Sequence, residues 1–168
     1  MKRSILIPLI SVFTLMINVV TLGGLTKEAE LRGINPTCLT HLKQIEESLN
    51  LNGLNLTFAH PNKPLLYPSL HSTAKKYNNE NSFFAATLSP NGDECYVSTV
   101  ISTVINNRSC QDIIQAKLNK DSTLQVTPYG DGTYTHVAPK SSAYQLVLIS
   151  TGELSCSMTK MQMMWPGK

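Results

Sequence analysis

Two short patterns in this chain could carry nucleophilic chemistry. Ser72-Thr73-Ala74-Lys75 and Ser157-Met158-Thr159-Lys160 each have the S-x-x-K form, in which a lysine helps to deprotonate a serine. The enzymes that use it also need a K-T-G segment and a much longer chain, and neither is present, so both matches read as coincidence. No G-x-S-x-G occurs. Asp and Glu together number only 11, mostly in expected turns or on solvated faces, so no carboxylate has the apolar pocket that a raised pKa requires. The residues do not add up to a catalytic set, and the chain reads as a protein that is not an enzyme and needs no cofactor.

Metal chemistry is the next candidate. Met158, Met161, Met163 and Met164 gather near the C-terminus beside Trp165, and thioethers select Cu(I). A periplasmic copper-handling role is therefore the alternative function, with a small wall-directed hydrolase third. Core packing competes with it, since methionine readily fills irregular gaps. Cys38-x-x-His41 would set a thiolate and an imidazole one helical turn apart, but no second pair stands at ligand spacing.

The four cysteines do carry information. Cys38, Cys95, Cys110 and Cys156 are an even number, and the chain opens with Met1-Lys2-Arg3, a mostly apolar run from Ile5 to Leu22, and Gly23-Gly24. That layout predicts a secretory signal peptide over residues 1–23, a single exported domain over 24–168, and two disulfides formed in an oxidising compartment. Joining Cys95 to Cys110 would bring together the start of a strand and the residues beyond its far end. Ten extended residues span roughly 33 Å, against roughly 5.5 Å between disulfide Cα atoms. Pairing strand with strand and helix with helix then predicts Cys95 with Cys156 and Cys38 with Cys110.

Loss of Lys2 and Arg3 takes the formal net charge from +3 to +1, which lacks the basic excess that nucleic acid requires. The leader and the Lys/Asn/Thr-rich body point to the bacterial periplasm, with an extracellular location second, and to no stable membrane anchor after cleavage.

The elements follow from period and punctuation. Thr26 to Asn35 is a polar lead-in; Leu39, Leu42, Ile45 and Leu49 then give a helix over 37–49 one apolar face. Phe83 to Leu88 and Cys95 to Ile105 read as a hairpin around Asn91-Gly92. The second run also has helical spacing, but Val97, Thr99, Val100, Ile101, Thr103, Val104 and Ile105 are β-branched. Ser109 caps a helix over about 110–119. Thr123 to Thr127, Thr133 to Ala138, Tyr144 to Ser150 and Leu154 to Trp165 are strands, the last with a parity flip that suggests a bulge near Lys160. The expected fold is α+β, a mainly antiparallel sheet of five or six strands with two helices on one face, without an internal repeat.

Between Leu54 and Asn81 the period weakens and three prolines intervene, so the stretch from Phe58 to Tyr77 reads as a long ordered loop. Phe58, at strand spacing from Leu54 and Leu56, is expected to pack inward. A small exported domain, stapled twice and without a catalytic set, suits presentation of a rigid surface to another protein. Its most concrete form is an immunity protein that blocks a secreted toxin attacking the wall or membrane; a homodimer is compatible with the same build. Tyr67, His71 and Tyr77 in the loop, and Tyr129 and Tyr134 at the glycine-rich turn, are the expected partner contacts.

Overall fold

A computed structural model describes residues 23–77, 80–141 and 143–164. The leader expected over residues 1–23 thus falls almost wholly outside the described residues. Among those described, no helix is long and apolar enough to cross a membrane.

Among the described residues the architecture is α+β, with one antiparallel sheet of eight strands and three helices. In chain order the elements are α1 (Leu25–Leu31), α2 (Pro36–Leu49), β1 (Leu54–Phe58), β2 (Ser69–Tyr77), β3 (Glu80–Asn91) and β4 (Glu94–Asn106). They are followed by α3 (Cys110–Leu118), β5 (Gln125–Tyr129), β6 (Tyr134–Ala138), β7 (Gln145–Gly152) and β8 (Ser155–Met164). The β3–β4 hairpin forms as expected, and Gly92 takes the positive φ of 61° that its turn needs. Asn35 caps α2 through its side chain, and Ser109 and Asp112 form a reciprocal capping box on α3.

The strand and helix counts exceed the five or six and two that were expected, for identifiable reasons. Residues 25–31 are helical because the Glu46 carboxylate accepts from the Leu25 and Thr26 N–H groups at 2.6 and 2.9 Å, while Leu25 and Ala29 are fully buried. The expected loop from Phe58 to Tyr77 contains β2 from Ser69 onward, leaving a shorter connection. Its period was obscured because β1 and β2 are inverted. Asn55, Thr57, Ser69, His71 and Thr73 are buried, whereas Leu54, Leu56, Phe58 and Leu70 are exposed. The bulge expected near Lys160 is absent from β8, which pairs regularly with β4; the irregularity lies on β7, between Ser150 and Gly152.

Strand order β1-β2-β3-β4-β8-β7-β6-β5 makes the sheet two four-strand meanders joined at β4 and β8. Each meander follows a helix, and each helix is tied to the second residue of its meander's last strand. Cys38 of α2 bonds Cys95 of β4, and Cys110 of α3 bonds Cys156 of β8, with Cα separations of 5.2 and 5.0 Å. The disulfides therefore form, but both expected pairings are corrected. Cys156 lies opposite Ile105, at the far end of β4 from Cys95, and the two helices cover different halves of the sheet. Taking Cys95 and Cys156 as equivalent, half a turn about an axis through the Val100–Met161 pair exchanges the halves.

Under that exchange Leu88 answers Leu148, Ala86 answers Leu146, and His71 answers Val137. The two halves keep separate cores. Leu42, Ile45, Phe84, Leu88 and Val97 pack in the first, and Ile113, Ile114, Val137, Leu146 and Leu148 in the second. All of these lie on the side of the sheet that the helices cover.

Candidate functional site

Antiparallel strands alternate their side chains, so the registers define what the uncovered face presents. One row crosses all eight strands: Leu54, Ala74, Phe83, Ser102, Thr159, Val147, His136 and Thr127. Beside it run Leu56, Ser72, Ala85, Val100, Met161 and Gln145, then Phe58, Leu70, Thr87, Ser98 and Met163. None of these three rows contains Asp, Glu, Lys or Arg. A fourth row starts at Lys76, whose side chain is outside the described residues, and continues through Asn81, Val104, Ser157, Ile149, Tyr134 and Tyr129.

Much of this face is apolar and in solvent. Phe58 is 63% exposed, Tyr129 56%, Met163 50%, and Phe83, Tyr134 and Leu54 nearly half. Ion pairs lie on the helices, Lys27 with Glu30 and Arg32 with Glu28 on α1 and its cap, and Lys43 with Glu47 on α2. A wide, uncharged sheet face with exposed aromatic and methionine side chains has the composition of an interface core.

The expected partner contacts divide. Tyr129 and Tyr134 face each other across β5 and β6 on the open face, with His136 next along β6. The His136 Nε2 is shielded from solvent and has no hydrogen-bond partner among the described residues. Tyr67 is half-exposed in the β1–β2 connection, its ring stacked on His60 at 4.6 Å. The Tyr77 side chain is outside the described residues. His71 is no surface contact at all: it is fully buried, with Nδ1 3.0 Å from the Thr57 hydroxyl and Nε2 2.8 Å from the Ser69 hydroxyl.

That Ser69–His71–Thr57 arrangement has the distances of a nucleophile and its base, but its three residues are buried under the helices, with relative exposures of 4%, 0% and 7%. It acts as a satisfied polar network in the position where the second half holds Val137. Burial pushes the His71 pKa down to about 4, so the ring is neutral at physiological pH. Asn55 extends the same inverted side of β1, accepting from Thr73 at 2.7 Å and donating to the Gly23 carbonyl at 2.8 Å.

The other candidate chemistry is dispersed by strand geometry. In each S-x-x-K match the serine and lysine are three residues apart on a strand and so point to opposite faces. Lys75 donates to the Asn50 carbonyl at 2.7 Å, and Lys160 sits 5.0 Å from the centre of the Tyr144 ring. The same alternation splits the methionines. Met161 and Met163 are on the open face, Met158 and Met164 on the helix side, so the four thioethers do not converge. Phe58, expected to pack inward, instead stands on the open face.

No family model matches this chain, and neither a curated protein nor a solved structure does.

Proposed function

We propose that this protein is an exported binding module that recognises another protein through the open face of its sheet. In its concrete form it is a periplasmic immunity protein that neutralises a secreted toxin by covering it. The observation that carries the reading is the composition of the face: three rows without Asp, Glu, Lys or Arg run across the sheet, and Tyr129, Tyr134 and Met163 are about half-exposed. Neither folding nor solubility calls for such a surface, whereas a protein partner can bury it.

Two further features support this. The Cys38–Cys95 and Cys110–Cys156 bonds belong to an oxidising compartment, as the periplasm is. They also fix each helix on its meander, so the face is held ready and little ordering entropy is lost on binding. Tyr129 and Tyr134 are the expected anchors, being large, two-torsion side chains able to bury a ring and still satisfy a hydroxyl.

The test is protection. The full chain, produced with its leader in a sensitive bacterium, should rescue growth against a secreted wall- or membrane-attacking toxin of the producing strain, while the chain lacking residues 1–23 should not. Tyr129→Ala with Tyr134→Ala should weaken toxin binding by at least about 100-fold, the size of a hot-spot loss, with the thermal midpoint nearly unchanged. Equal protection by the cytoplasmic form, or full affinity in the double variant, would overturn the reading. If the methionines served copper instead, a Cu(I) competition titration would show stoichiometric binding that Met161→Leu with Met163→Leu abolishes.

A further inference from the structure

The two halves of the sheet provide an internal control on each other. Where β1 and β2 put Leu56, Phe58 and Leu70 on the open face, the equivalent positions of β5 and β6 hold Gln125, Thr127 and His136. On the inner strands the order reverses, with Val147 and Ile149 answering Thr87 and Ser89, but those two are half-buried. The meander therefore folds with polar residues on its outer strands, and the exposed leucines and phenylalanine of the first half are not a requirement of the architecture.

We infer that the first half of the open face is the contact surface of a homodimer, occupied by the same patch of a second copy. Leu54, Leu56, Phe58, Leu70, Phe83 and Val104 are each 38–63% exposed, and Ala74 and Ala85 connect them. With roughly 150–250 Å² available on a large side chain, the six expose on the order of 500 Å². That is the upper end for an apolar patch on a monomer, and Val100, Met161 and Met163, 36–50% exposed on the adjoining strands of the same face, extend it toward the roughly 800 Å² per partner of a standard interface.

Composition selects the occupant. The six side chains have no hydrogen-bonding atom and no charge, as permanent homodimer interfaces favour, whereas the second half mixes Tyr129, Tyr134, His136 and Thr127 in the manner of a recognition surface. A two-fold contact sets a patch against itself, and these six side chains bring no like charges together. The dimer would leave the β5–β6 side of each protomer free for the partner proposed above, so the two proposals stand or fall separately.

Sedimentation velocity on the oxidised, exported protein between about 1 and about 100 μM tests this, a range that brackets a micromolar dissociation constant. The wild type should sediment as a dimer. Leu56→Ser with Phe58→Ser should raise the dissociation constant at least about 100-fold, and Tyr129→Ala with Tyr134→Ala should leave it unchanged. Near-ultraviolet circular dichroism and a zero thiol titre establish that each variant is folded. Should the serine pair fail to fold, Leu70→Lys puts a charge inside the patch, between Phe58 and Thr87, and should likewise give monomers. A wild type that stays monomeric at the highest concentration would overturn the inference, as would a dimer that survives the folded variants. A monomer that floats with neutral phosphatidylcholine vesicles would also overturn it and assign the patch to lipid.

Discussion

His71 is the residue on which pH acts most directly. Its folded-state pKa is lowered from 6.5 to about 4 by burial, with the Ser69 and Thr57 hydroxyls as its partners. For a group depressed in this way, the unfolded chain binds the proton first. Its contribution is therefore fully present above pH 6.5 and is lost as the pH falls to about 4. At 1.36 kcal/mol per unit the loss is about 3 kcal/mol. Urea denaturation of the wild type at pH 7.5 and at pH 4 should show a fall of that order, and His71→Gln should flatten this part of the curve. An equal fall in the variant would mean that the acid sensitivity lies with other groups. The same residue explains an error of reading. His71 stands among prolines and polar residues and looks like a surface contact, yet it is among the most deeply buried side chains of the fold.

At the scale of the element, the first helix depends on a side chain from the second. Glu46 of α2 takes both the Leu25 and Thr26 N–H groups, replacing the cap that Gly24 lacks. Glu46→Ala should cost about 1 kcal/mol, the usual value of a lost N-terminal cap, and should increase amide exchange over Leu25–Leu31 while leaving α3 unaffected. Unchanged exchange there would show that burial of Leu25 and Ala29 holds the helix by itself. The strands β1 and β2 show the limit of reading elements by period. Alternation is present, but the apolar residues mark the solvent side and the polar ones the core, so the pattern gives the strand and not the direction of burial.

For the whole molecule, the approximate two-fold relation of the halves predicts two units that share a sheet and can be weakened separately. The disulfides close loops with separations of 57 and 46 residues, each worth about 4 kcal/mol in the chain-entropy account. Cys110→Ser with Cys156→Ser should lower stability by up to that amount and raise hydrogen exchange first in α3 and β5–β7, while α2 and β3 stay protected. Peptide mapping of the oxidised wild type should recover Cys38 linked to Cys95 and Cys110 linked to Cys156. Uniform loosening of both halves would mean that the sheet joins them into one cooperative unit.

Much of this protein is legible locally. The β-branched run from Val97 to Ile105, the Asn91-Gly92 turn and the Ser109 cap specify their structures through near neighbours in the chain, and each formed as those neighbours dictate; the even cysteine count predicted two disulfides, which also form. The disulfide partners did not follow from the sequence, because they depend on where each helix lies over the sheet. Nor did the two-fold relation of the halves, since His71 and Val137, or Ala86 and Leu146, fill equivalent places with unlike side chains. The candidate surface was half visible in Tyr129 and Tyr134. Its breadth was not, because a face assembled from eight strands is set by cross-strand register, and register joins residues far apart in the chain through backbone hydrogen bonds that leave no local mark.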